Sequence, residues 1–427
     1  MKKRWLSIAL TASMVAGAMS FAAVPAQAEE VQEITWMFWD DLDASTDLIT
    51  LGFKDVIERF NEDYEGVYHV TPITTNLEEY YPNLNAKVDA GETPDVFIVS
   101  PGPNLTAYVE PGVAAPLDEY LEADGWKDTF SSDAVFSQQT YDGQIYAVPL
   151  NTAAACVFYN KDMFEDAGVE VPTTFDELLE ACAALKEAGY TPISISAGTA
   201  WCLSMLAGYL CDREGVDLEA IAAGDESWVN DKTLDAGEKL LQLSEYFQET
   251  AASDSNDVAT AGFYDEEAAI LIQGSWAIGQ INGGNPDFEE SCGVFQFPAI
   301  EGGNDPNRII AKSDSLAMSS TTEHPEACIA LMKYFTDDTA QKYTAEVGGK
   351  IPVTKVEYDE DAAPAQLADV MEIFGNASGT FGFYNESLAS TEAGAFFDDQ
   401  IVSMYLGKMT PEEAFQAIED FYEKNVR

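Results

Sequence analysis

The sequence is poor in positive charge and nearly empty of histidine: 21 Lys and Arg face 75 Asp and Glu, with two His in 427 residues. A formal net charge of −54 repels phosphate backbones and anionic headgroups, which excludes nucleic-acid binding and argues against a highly anionic small ligand. His69 and His324 cannot build a His-rich metal centre, and the H-E-x-x-H pattern cannot occur. None of the six cysteines sits in a C-x-x-C spacing, so zinc and thioredoxin-like redox chemistry lack support. Beyond residue 28 no apolar run reaches the length of a membrane span, so membrane insertion is not expected.

Catalytic signatures are missing as well. Gly274-Ser275-Trp276 places its serine one position too early for G-x-S-x-G, and Gly348-Gly349-Lys350 lacks the flanking residues of a phosphate loop. Gly283-Gly284 is no dinucleotide fingerprint, so no cofactor is expected. The acidic stretches 212–217 and 254–257 fail the calcium-loop pattern and read as solvated loop charge. With so many acids, any one carboxylate pair suited to glycoside hydrolysis is uninformative.

What is present is a large exported α/β chain. Lys2, Lys3 and Arg4, the apolar stretch 5–24 and Ala26-Gln27-Ala28 form a cleavable export signal over residues 1–28. The first cysteine, Cys156, lies far from the cleavage point, so a lipid anchor is not expected. Cys182 falls on an apolar helix stripe, whereas Cys202 and Cys211 are the cheapest pair to bridge in an oxidising compartment. Hydrophobic residues at 46% supply a real core, and the length suggests two domains.

Strand-like and helix-like segments alternate. Ile34-Thr35-Trp36-Met37-Phe38-Trp39 reads as a strand, followed by a helix with Phe53, Val56, Ile57 and Phe60 on one face. The strand 67–73 and the buried strand around Asp95–Val99 continue a β-α-β-α-β order, the signature of a parallel sheet covered by helices. Asn76 with Glu79, Thr174 with Glu177 and Thr410 with Glu413 read as helix-capping boxes. Tyr80-Tyr81 reads as packing, as do Trp126 and Trp228, and Ile193-Ser194-Ile195 as a strand with Trp201 in the loop after it. No linker separates the halves, which suggests that the chain crosses between them more than once.

An ordered set of motifs spans nearly the whole chain after residue 28. It runs from Tyr141-Asp142-Gly143-Gln144-Ile145-Tyr146-Ala147-Val148-Pro149 through Phe158-Tyr159-Asn160-Lys161-Asp162 and Pro172-Thr173-Thr174-Phe175. Gln273-Gly274-Ser275-Trp276-Ala277, Glu323-His324-Pro325-Glu326-Ala327 and Gly407-Lys408-Met409-Thr410-Pro411 complete it. The set resembles the extracellular solute-binding proteins (family 1) of bacterial sugar ABC importers. The resemblance implies a periplasmic-binding-protein-like fold, two α/β lobes with a ligand cleft between them and several interlobe crossovers. It places the first lobe at 29–150 and 299–355, and the second at 151–298 and 356–427. It also implies a monomeric carbohydrate receptor in the periplasm or at the cell surface, which delivers a mono- or oligosaccharide to membrane permease subunits.

Sugars present an apolar face, which aromatic rings cover, and an edge of hydroxyls, which Asp, Asn and Glu can bond. By motif position, the resemblance puts Trp276 in the cleft and Trp201 where relatives carry an aromatic residue. Trp39 and Asp40 end the first strand, at the carboxyl edge where open α/β sheets bind ligands. Ser100 and Asn151 follow strand-like runs at lobe-facing ends, and Tyr384 falls in the loop 379–385. Many relatives carry Gly-Gly-Trp before a Leu-Ala-Ile strand, where this chain has Lys312-Ser313-Asp314-Ser315 before Leu316-Ala317-Met318. A stacking ring is thus replaced by the carboxylate of Asp314, which implies a different ligand. A same-fold receptor for a polyamine, iron complex or peptide remains the alternative, followed by an exported glycoside hydrolase.

Overall fold

A computed structural model describes residues 31–426. The export signal expected at 1–28 lies outside the described residues. Two mixed sheets, each covered by helices, form the two lobes. The first sheet runs Tyr68–Thr74, Gln32–Phe38, Val96–Val99, Ser315–Met318, Ala147–Pro149 in spatial order. Its first three strands are parallel, as the β-α-β-α-β order requires, but Ser315–Met318 runs antiparallel to both of its neighbours.

The helices begin where the capping residues lie. Asn76 accepts from the Glu79 amide, and Thr174 and Thr410 close full capping boxes with Glu177 and Glu413. Helix Leu48–Asp63 turns Phe53, Val56, Ile57 and Phe60 inward against the first sheet, at the spacing of a helical stripe.

The second sheet is centred on Ala153–Asn160 and includes Ala268–Gly274, Thr191–Ser194, Cys292–Phe295, Arg308–Lys312 and Gly379–Phe381. Successive residues of its central strand enter different cores: Ala155 and Val157 pack on one side, and Ala154, Cys156 and Phe158 on the other. Both faces are covered, which is why the strand reads as a continuous apolar run. The expected lobe division at 299 assigns Arg308–Lys312 to the first lobe. That strand instead pairs Ala311 and Lys312 with Ala154 and Ala153, and buries Ile309 and Ile310 in the second lobe's cores.

The chain passes between the sheets at 150–152, at 313–314 and near Ile351. These crossings lie side by side. Thr152 and Ile351 exchange backbone hydrogen bonds at 2.9 and 3.2 Å, the Leu150 amide donates to the Asp314 carbonyl, and Thr152 Oγ1 lies 3.2 Å from Ser313 Oγ.

Three other readings need correction. All six cysteines are free and buried. Cys202 and Cys211 share helix Ala200–Glu214, where nine residues make about 2.5 turns and put them on opposite faces, about 13 Å apart along the axis. Asp212 is not solvated: it is buried and accepts from Arg213 Nη1 and Arg308 Nε, both at 2.8 Å. Trp201 lies in the first turn of helix Ala200–Glu214 and not in a loop. Trp126 and Trp228 are core residues.

Candidate functional site

Between the lobes lies a cleft of about 1030 Å³. Trp39, Asp40, Ser100, Asn151, Trp201, Trp276 and Asp314 all line it, contributed by both lobes and the crossings. Tyr384 does not. Its ring is buried in the second lobe beside Phe381 and Phe397, and its neighbours Asn385 and Glu386 reach the cleft instead. The short helix Tyr384–Ser387 sets this register, turning the aromatic residue inward and the polar residues outward.

The Gly-Ser-Trp sequence has a local explanation. Strand Ala268–Gly274 ends at Gly274, whose Cα lies beneath the Trp276 ring so closely that a Cβ there would collide with it. Ser275 Oγ accepts from the Ala154 amide, tying the turn to the central strand. The Trp276 indole N–H donates to Gln273 Oε1 at 2.6 Å, Gln273 Nε2 donates to Asn256 Oδ1, and the Asn256 amide donates to Thr199 Oγ1 at 3.0 Å. Thr199 Oγ1 in turn donates to Glu78 Oε1 at 3.0 Å, carrying the chain of bonds into the first lobe. Trp201 meets Trp276 edge to face at 6.0 Å, and Phe383 packs against both. On the first lobe, Trp39 meets Tyr80 edge to face at 5.3 Å. Tyr80 is core, but Tyr81 beside it lines the cleft and accepts from the Ser100 amide.

The polar groups differ in how free they are. Asp40 is occupied by its own loop, accepting from Ser45 Oγ at 2.6 Å, Thr50 Oγ1 at 2.7 Å and the Asp41 amide. Asp314 accepts from Ser100 Oγ at 2.9 Å and pairs with Lys312 at 3.4 Å. Lys312 Nζ also reaches Ser100 Oγ, Glu386 Oε1 and the face of Phe383. Burial pulls its ammonium down, yet Asp314 and Glu386 more than offset this, and its pKa stands above the ordinary lysine value. Lys350 is held below the ordinary value by burial, while burial raises Asp47, Asp257 and Glu386. Sequence reading missed Tyr81, Lys312, Asn385, Glu386 and Asp398. Lys312 alone carried a signal, as part of the departure from Gly-Gly-Trp.

No group of His, Cys, Asp and Glu among the described residues is arranged to hold a metal ion. Two α/β lobes around an aromatic, hydrogen-bonding cleft define a solute receptor. The profile of the bacterial extracellular solute-binding protein family matches residues 46–342, and the chain belongs to that family. It is 24% identical to the multiple sugar-binding protein of Streptococcus mutans over 338 residues, 72% of this chain and 78% of the relative. A probable sugar-binding periplasmic protein of Rhizobium meliloti is 25% identical over 424 residues, 95% of this chain and 96% of the relative. A structure solved for xylan utilization by Caldanaerobius polysaccharolyticus superposes with a TM-score of 0.84 at 25% identity, covering 91% of this chain and 99% of that one. The family consists of solute-binding receptors, and no helix among the described residues is long and apolar enough to cross a membrane.

Proposed function

We propose that the protein is an extracytoplasmic carbohydrate receptor that captures a mono- or oligosaccharide between its lobes and presents it to the permease subunits of an ABC importer. One observation carries the reading: Trp39 from the first lobe and Trp201 and Trp276 from the second line a single cleft together with hydroxyls and carboxylates. Ring faces cover the C–H surface of a sugar, and the polar groups bond its hydroxyl edge. A ligand that touches both lobes favours their closed arrangement by its differential affinity. The proposed site comprises Trp39, Ser100, Asn151, Trp201, Trp276 and Asp314, with Asp40 as support for the Trp39 loop.

In this reading residues 1–28 are removed on export, the mature chain acts as a monomer, and the sugar leaves unaltered. We place the lobe crossings at 150–152, 313–314 and near Ile351, so that 153–312 belongs to the second lobe.

A thermal-shift screen of mono- and oligosaccharides tests the proposal, with polyamines as controls. One sugar class should raise the melting temperature, and the sugar should be recovered unchanged. Eight carboxylates line the cleft against the ammonium groups of Lys312 and Lys350, which favours a cationic solute as the second reading. Stabilisation by polyamines and by no sugar would select that reading, and new reducing ends would overturn the receptor assignment.

A further inference from the structure

Among the described residues, two buried side-chain oxygen atoms without a hydrogen-bond partner belong to residues that line the cleft. They are Asn385 Oδ1 and Asp398 Oδ1. Both are acceptors, and both come from the second lobe. They are also joined: Asn385 Nδ2 donates to Asp398 Oδ2 at 3.0 Å, which fixes the amide and the carboxylate relative to each other, and the Ser204 hydroxyl lies close to the same carboxylate.

The surroundings hold this pair in place. Helix Thr391–Tyr405 carries Asp398, and Asn385 lies in the short helix before it. Gly394 lets the two segments approach, since a Cβ there would meet the Asn385 carbonyl. Thr391, Gly394 and Ala395, on the same helix as Asp398, also line the cleft. Buried acceptors are normally satisfied, and an unpaired carboxylate oxygen is among the costlier exceptions. In a binding cleft, the missing donor is supplied by the ligand.

Resting on the carbohydrate reading above, we propose that Asn385 and Asp398 form a subsite that accepts from two adjacent hydrogen-bond donors on one sugar unit. Two acceptors held side by side match a vicinal hydroxyl pair, or a hydroxyl beside an ammonium in an amino sugar. A uronate unit offers a carboxylate where a donor is required, and meets the Asp398 charge and that of nearby Glu386. The subsite therefore selects neutral or amine-bearing units and rejects acidic ones.

Calorimetric titration of the purified chain with neutral, amino and uronate oligosaccharides of equal length tests this. The wild type should bind a neutral or amino member and not the uronate. Asp398→Asn should weaken that binding about tenfold to a hundredfold, the range expected when a charged acceptor is lost. It should not lower the melting temperature of the ligand-free protein, because it removes a buried charge that has lost one partner. A merely structural role would lower both. Unchanged sugar affinity in both Asp398→Asn and Asn385→Ala, with the wild type binding, would overturn the subsite and leave the receptor intact. Tight uronate binding would overturn its selectivity, and a wild type that binds no sugar would overturn subsite and receptor together.

Discussion

Lys312 Nζ lies 3.5 Å from Glu386 Oε1 and 3.4 Å from Asp314 Oδ1, so one ammonium neutralises carboxylates from the second lobe and from a crossing between the lobes. All three side chains are largely buried, and Lys312 also reaches Ser100 of the first lobe. Removing one partner of a buried ionic cluster strands the others, which costs about 3 kcal/mol or more. Lys312→Met should therefore lower unfolding free energy by about that amount in urea titrations. The radius of gyration of the ligand-free protein should grow as well, since a tie between the lobes is lost.

Gly274 and Trp276 are coupled by contact. A methyl group at 274 must displace the indole, and overpacking of this kind costs about 1–3 kcal/mol. Gly274→Ala should weaken sugar binding more than it lowers the melting temperature, with a change in intrinsic tryptophan fluorescence reporting the moved ring. Identical fluorescence and affinity would remove the positional role assigned to Gly274.

Trp276 is half-buried and its N–H is satisfied within its own lobe, so its exposed face is available for stacking. Trp276→Ala should weaken sugar binding at least about tenfold, given the apolar area such a ring covers. The folded state should survive, and a circular dichroism spectrum like the wild type's would establish that. Undiminished affinity would place the sugar elsewhere.

Two opposite pH dependences should meet at Asp398. Burial above all raises its carboxyl to about 7, with Glu386 and Asp399 adding to the rise and Ser204 and Asn385 opposing it. An unfolded aspartic acid titrates near ~3.9. Between those values the folded protein holds a proton that the unfolded chain has released, so ligand-free stability falls as pH rises through that window. Asp47, Asp257 and Glu386, also raised by burial, act in the same sense, so the difference between wild type and Asp398→Asn isolates this group. Sugar donors favour the ionised carboxylate, so affinity should rise as pH passes ~7. Melting and titration curves from pH 5 to 8 should show both slopes in the wild type and a reduced difference in the variant.

The parts of this molecule written locally in the sequence were legible, and those made by distant pairing were not. Asn76, Thr174 and Thr410 announce their helices because a cap and its partner lie three residues apart. Gly274-Ser275-Trp276 points to the cleft only through the family resemblance, and Trp276 is among the residues that line it. Tyr384 misleads because a single helical turn decides which of three neighbours faces the cleft. Asp398 and Lys312 gain their character from burial beside groups 13 and 74 residues away in sequence, and no local pattern encodes that. Arg308–Lys312 joins the second sheet through alanines more than 150 positions earlier, which is why a boundary drawn by resemblance alone fell at 299.

The adjacency of the three crossings also restricts how the halves can swing. Sliding one half past the other would shear the reciprocal bonds between Thr152 and Ile351, whereas folding about the line through them spreads small torsions over a few peptide units. The easy motion is that of a book about its spine: the far margins travel most and the region beside Asp314 hardly at all. Groups near the spine can thus be shaped before a guest arrives, while those at the page edges take their final places only around it.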